Sequence, residues 1–268
     1  MKKRLFLSLT GDLAYTEIPK CGCSTVKQYL YRVGNGTFHE GSIHRTDRGL
    51  LTWRSRSLAI RWRLMRRRHH HFTFVRNPHA RILSAFFDKI ANPQEGGEMY
   101  GKPRLRAAIA AFGIDPAADP VAAFRRFLLF VRDNIRYGEP VDPDIHWMPM
   151  AWHAAEPLDL GFVYDEVFHM ESFDADLGGM LRARLPERAE EWAEIRAFNE
   201  GVATGLKRTL PIADYFDATA RMLMDEAFHD DFECFGYSRD PAIAAATPLS
   251  IDTINTRLAA VRRARAGR

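Results

Sequence analysis

The residues of this chain best suited to chemistry lie in Ile18-Pro19-Lys20-Cys21-Gly22-Cys23-Ser24-Thr25-Val26-Lys27. A lysine, a glycine and two hydroxyls occupy a turn between residues 13–18, which read as a strand, and residues 25–31, which read as a helix. The first N–H groups of a helix have no intrahelical partner, so here they converge on whatever the turn encloses at Gly22 to Thr25. The chemistry indicated is the grip of a phosphate-like anion. In the phosphate loop of nucleoside triphosphatases the lysine follows the last glycine, and an earlier glycine opens the loop. Here Lys20 comes first and that earlier glycine is missing, which disfavours an ordinary triphosphatase.

A second pair of anion-binding side chains follows. His71-Phe72-Thr73-Phe74-Val75 has the aromatic and β-branched make-up of a buried parallel strand, and Arg76-Asn77-Pro78 stops it. A helix is expected next, with Ile82, Leu83, Phe86, Phe87 and Ile90 on one face and Ser84 on another. Arg76 and Ser84 suit a single phosphate, since a guanidinium makes a forked, charge-assisted pair and a hydroxyl adds one bond. Taken singly, each also fits a surface arginine and an ordinary helical serine.

Together these segments resemble the sulfotransferases that use 3′-phosphoadenosine 5′-phosphosulfate, in the branch of carbohydrate sulfotransferases of the chondroitin and HNK-1 type, here as a bacterial member. That family has a P-K-x-x-x-[ST] turn and an R-N-P followed by a downstream serine, and both are present. Asp144-Ile145-His146-Trp147-Met148-Pro149 is similar to its H-W-x-P segment, and the stretch from Val167 to Asp176 to a further one. Asp231-Phe232-Glu233-Cys234-Phe235-Gly236-Tyr237 is similar to its closing D-F-x-x-F-G-Y. The resemblance implies an α/β, P-loop-like three-layer fold with a central parallel sheet flanked by helices. It implies transfer of a sulfuryl group from that donor to an acceptor hydroxyl, on a carbohydrate or glycoconjugate, with no metal required.

The resemblance also assigns roles. Lys20 stabilises the leaving phosphate. The backbone of Gly22, Cys23, Ser24 and Thr25, with the Ser24 and Thr25 hydroxyls, holds the 5′-side oxygens. Arg76 and Ser84 fix the 3′-phosphate, which selects this donor over ATP or ADP. Lys207 and Arg208, in Leu206-Lys207-Arg208-Thr209, match a late basic loop that folds over the nucleotide. The transfer needs a base for the acceptor proton, and an imidazole with a pKa near neutrality suits that task. His44 is the first candidate: it ends an expected second strand over residues 37–44, on the carboxyl rim where open α/β sheets bind ligands, and it resembles a histidine of the family. His39, Glu40 and His146 are the alternatives.

Two other classes of function remain open. A P-loop-type small-molecule kinase would share the scaffold, but it calls for a Mg²⁺-holding Ser/Thr after a lysine that has moved here. A nucleic-acid binder would use the seven arginines between Arg54 and Arg68, with Trp53 and Trp62 for stacking. The phosphate-gripping residues have no use in that reading. A basic wall that attracts an anionic donor accounts for the run without nucleic acid.

The elements that must position these residues need a sizeable core. The 268 residues are 46% hydrophobic and 12% aromatic, enough for one α/β domain, expected over residues 1–240 with a helical tail over 241–268. Amphipathic helices are expected near 120–133, 174–185 and 218–228. The apolar run after Met1-Lys2-Lys3-Arg4 ends at Thr10-Gly11-Asp12, too short for a signal peptide, and no stretch is long enough to span a bilayer. Animal relatives carry an N-terminal Golgi anchor, so the expectation here is a cytoplasmic enzyme. Cys21, Cys23 and Cys234 make an odd set, two of them inside the phosphate turn, and read as packing residues of a reducing compartment. His69-His70-His71 leads into a strand, and alternating solvent and core positions explain it better than a metal site.

Overall fold

The structure, a computed structural model, describes residues 4–8, 10, 12–43, 50–52, 69–92, 102–138, 141–198 and 208–267. The chain divides into two compact units. Met1–Arg76, Met150–Glu200 and Leu249–Arg268 form the first, and Asn77–Pro149 and Gly201–Pro248 the second.

The first unit holds the sheet, in the order β3 (Leu51–Thr52), β1 (Leu5–Leu7), β2 (Leu13–Thr16), β4 (His70–Val75), β5 (Glu166–His169). Every residue of β2 and β4 is buried, as expected of interior parallel strands. The sheet is mixed rather than wholly parallel: β2, β4 and β5 run parallel, whereas β1 pairs antiparallel with both β2 and β3. The short link from Leu7 to Leu13 forces that antiparallel return, because a parallel crossover needs a dozen or more residues. Because β2 and β4 are parallel, with Thr16 opposite Thr73, the turn after β2 and Arg76 after β4 leave the sheet at its carboxyl edge.

Helix α1 (Cys23–Asn35) begins at Gly22 and ends at Gly36, both in the left-handed region. Val26, Tyr29, Leu30 and Val33 form its buried stripe. Residues 241–268, expected as a helical tail, contain a helix (Ile251–Ala266) capped by Ser250, whose hydroxyl accepts the Thr253 N–H at 3.2 Å. Its Ile254, Leu258 and Val261 are buried, and it packs against the helix Met150–Ala155 of the same unit. In the histidine run, His70 and His71 are both buried rather than alternating. His70 Nε2 meets Glu166 Oε2 of β5 at 2.7 Å.

His71 links three segments. Its Nδ1 lies 3.0 Å from the Val163 carbonyl oxygen and its Nε2 lies 2.8 Å from the Thr16 hydroxyl, so Nδ1 carries the hydrogen and Nε2 accepts. Burial lowers its pKa to about 4, outweighing the hydrogen bond to Val163. Unfolded, the imidazole titrates near 6.5, so between those two values the unfolded chain binds the extra proton. Stability is therefore full above pH 6.5 and falls with pH towards 4, by up to about 3 kcal/mol from this one group. Urea melts at pH 7.5 and 4.5 check this: His71→Gln should shrink the difference, the similarly buried His79 still contributing in the same range, and an unchanged difference would exclude His71 as a source.

The second unit is helical. Asn77 caps the helix Pro78–Ala85, its Oδ1 accepting the N–H groups of His79 and Ala80 at 3.0 and 3.3 Å, and a π-helical stretch continues it over Phe86–Ala91. The helices Pro103–Ala111, Pro120–Tyr137 and Ala218–Phe235 follow. Phe86, Phe124, Phe127, Phe130 and Trp147 form its aromatic core. No helix among the described residues is long and apolar enough to cross a membrane.

Candidate active site

The turn between β2 and α1 has an unusual backbone. Lys20 has φ +69° and Gly22 φ +68°, and the Cys21 N–H donates to the Ile18 carbonyl at 3.3 Å. A left-handed conformation is ordinary for Gly22 but costs a lysine about 1 kcal/mol or more, so the surroundings must hold Lys20 there. Arg76 contributes, donating from Nη1 to the Lys20 carbonyl at 3.3 Å. Met150 lies under both segments: its Sδ is 3.6 Å from Cys21 Sγ and 3.4 Å from the Arg76 backbone nitrogen. On the other side, Met170 and Phe173 close on Gly22. A Cβ there would lie 2.7 Å from Phe173 Cε2 and 2.9 Å from Met170 Sδ, so the position accepts only glycine on grounds of both space and φ.

Glu17 carries the charge beneath the turn. Only 3% exposed, its carboxylate meets Arg4 Nη1 at 2.7 Å and the buried Lys27 ammonium at 2.5 Å. Lys27 also sits over the Phe6 ring, 4.5 Å from its centroid. Burial first, then the Glu17 charge, pushes the Cys23 thiol up to about 11, so it stays protonated and adds no negative charge beside an incoming anion. Cys21, Cys23 and Cys234 are all free thiols.

The expected site residues are placed as follows. Lys20, Gly22, Cys23, Ser24 and Thr25 share the turn and the first turn of α1, and Arg76 touches that turn directly. The Thr25 hydroxyl does not face an empty cradle. It donates to the Phe198 carbonyl at 3.3 Å and accepts the Phe198 N–H at 3.0 Å. Ser84 lies half-buried in the helix Pro78–Ala85 of the second unit. Arg208 is exposed; Lys207 and His44 lie outside the described residues, as does the arginine run. The second strand expected over residues 37–44 does not form over 37–43. Instead the Gln28 side-chain amide bonds the His39 backbone, donating to its carbonyl at 3.0 Å and accepting its N–H at 2.8 Å, and so supplies the partners a neighbouring strand would have given.

His146 is buried in the second unit, with Nδ1 2.6 Å from Asp144 Oδ1. The same carboxylate bonds the Lys102 ammonium. Burial would raise the Asp144 pKa, but the hydrogen bonds and charges of His146 and Lys102 prevail and hold it well below the usual carboxylate range. Trp147 is fully buried, with its indole N–H on Asn134 Oδ1 at 3.1 Å, and so presents no stacking face to a sugar. Met150, Met170 and Phe173 were not anticipated as parts of the site. Phe173 and Met170 lie inside a segment that carries the resemblance, but nothing in their types signals contact with a glycine. No group of residues able to hold a metal ion occurs among the described residues.

The positive-φ turn, with its lysine ahead of the glycine, and the arginine that bonds it both fall in the part of the chain that matches a known family. The Sulfotransferase family matches residues 3–238, and the chain is a member of it. Among its relatives, carbohydrate sulfotransferase 14 of Mus musculus is 33% identical over 172 residues, covering 62% of this chain and 43% of the relative. Carbohydrate sulfotransferase 8 of Homo sapiens is 26% identical over 254 residues, covering 88% of this chain and 56% of the relative. The chain thus spans about half the length of the curated relatives it matches. No solved structure matches it.

Proposed function

We propose that the protein transfers a sulfuryl group from 3′-phosphoadenosine 5′-phosphosulfate to a hydroxyl of a carbohydrate. Family membership and the names of the relatives support the reaction class and the saccharide acceptor. The observation that carries the donor assignment is the hydrogen bond from Arg76 to the Lys20 carbonyl, which joins the two anion-gripping segments at one edge of the sheet. In the reaction the acceptor oxygen attacks sulfur, the bond from sulfur to the bridging phosphate oxygen breaks, and 3′,5′-adenosine bisphosphate leaves. The acceptor proton passes to a base, for which we propose His44.

The chain's own groups divide that work. The first-turn N–H groups of α1 and the Lys20 ammonium meet negative charge at the 5′ side, where it grows as the bridging bond breaks. Arg76, and Ser84 by the resemblance, bind the 3′-phosphate. Arg76→Ala should therefore weaken 3′,5′-adenosine bisphosphate by roughly 1.5–3 kcal/mol, the scale of a hydrogen bond to a charged group, and weaken ADP, which loses only the brace on the Lys20 turn, by less. Calorimetric titration of both ligands without Mg²⁺ measures the difference. Equal losses would show that Arg76 does not read the 3′-phosphate. Stabilisation by ADP with Mg²⁺, and none by the bisphosphate, would replace the proposal with a kinase.

A further inference from the structure

Residues 194–198 lie along α1 as a strap, held by side-chain hydroxyls rather than by a strand partner. Thr25 bonds both polar backbone groups of Phe198. One turn further on, the Tyr29 hydroxyl repeats the pattern, accepting the Arg196 N–H at 2.7 Å and donating to the Glu194 carbonyl at 3.4 Å. Thr25 and Tyr29 are four residues apart and share a helix face, so alternate residues of the strap dock on one side of α1. The Phe198 ring completes the contact, 4.8 Å from Phe38 and 6.4 Å from Tyr29.

A phosphate oxygen only accepts hydrogen bonds, and a threonine hydroxyl has one proton to give. In Thr25 that proton goes to the Phe198 carbonyl, so the hydroxyl cannot also donate to an anion in the turn. Resting on the sulfotransferase reading, we infer that Thr25 is a positioning residue: it serves the donor by pinning the strap to the first turn of α1, not as a phosphate ligand, and Tyr29 is its partner in that role. The strap fixes the orientation of the helix end whose N–H groups face the anion, and those groups bind well only if already aimed.

The inference separates two variants that a direct phosphate contact would treat differently. Thr25→Val keeps the branched shape and removes the hydroxyl; Tyr29→Phe removes a hydroxyl that precedes no phosphate-binding residue. Both should speed amide exchange at Arg196 and Phe198 and weaken 3′,5′-adenosine bisphosphate by about 3- to 10-fold, the worth of an ordinary hydrogen bond. The double variant should be little worse than either single one, because both release the same strap. Thr25→Ser should restore exchange and affinity together. Thr25→Val with weakened binding but unchanged exchange at Phe198 would overturn the inference, as would wild-type affinity in Tyr29→Phe. Wild-type protein that does not bind the bisphosphate would instead remove the sulfotransferase reading, and this inference with it.

Discussion

Lys20→Gly should bind 3′,5′-adenosine bisphosphate nearly as tightly as the wild type and turn over about 10²–10³-fold more slowly, the usual effect of deleting one group that stabilises developing charge. Glycine is the informative replacement because Lys20 has φ +69°, a conformation that alanine would resist; Lys20→Gly removes the ammonium without straining the turn. The ammonium matters most as the bridging oxygen takes up charge, so its loss should appear in kcat rather than in donor KM. Lys20→Ala should add a loss of stability to the same kinetic defect. Normal turnover in Lys20→Gly would take Lys20 out of the mechanism.

His44→Ala should lower turnover by roughly two to four orders of magnitude, the contribution of a well-placed acid or base, with the thermal midpoint unchanged. Several other described histidines have structural work. His71 is fixed between Thr16 and Val163, and His79 is buried between the rings of Phe216 and Phe232. The His146 side chain holds, through Nδ1 at 2.6 Å, the Asp144 carboxylate of a turn that the Met148 N–H closes on the Asp144 carbonyl at 3.0 Å. Its loss should therefore lower stability before it lowers rate. The wild-type pH profile of kcat should fall on its acid side as an imidazole protonates, and His44→Ala should lose that limb. The same limb disappearing in His146→Gln, with His44→Ala near normal, would move the role to the Asp144–His146 pair, whose ionised carboxylate is suited to stabilise an imidazolium.

Much of the backbone around the candidate site was legible in the chain because it is local. Strand, turn and helix are consecutive in residues 13–35, so the apolar run, the glycine and the helical pattern after it sufficed to place the turn. Arg76 was legible for the same reason, at the end of an apolar strand stopped by proline. What escaped were contacts between distant segments. Nothing in the type of Phe198 shows that it would take the Thr25 hydroxyl, 173 positions away. The strand expected over residues 37–44 does not form over 37–43: Thr37 and Phe38 suit a strand by propensity, whereas the Gln28 amide claims the His39 backbone. The antiparallel edge of the sheet followed from a link too short for a crossover, a matter of chain length rather than of residue type. In the histidine run the strand was right and the alternation wrong, because an interior strand buries both of its faces.

The hydrogen bond from Arg76 to the Lys20 carbonyl has a consequence for how the proposed reaction would select its donor. The side chain proposed to read one end of the nucleotide is also a brace of the strained residue proposed to act at the other. Were a 3′-phosphate to draw the guanidinium onto itself, the peptide carrying the Lys20 ammonium would feel the shift. Selection against a nucleotide lacking that group is then not confined to affinity: a wrong donor that does bind would meet a lysine whose support is in the wrong state, and fidelity would be exercised a second time, during the chemical step itself.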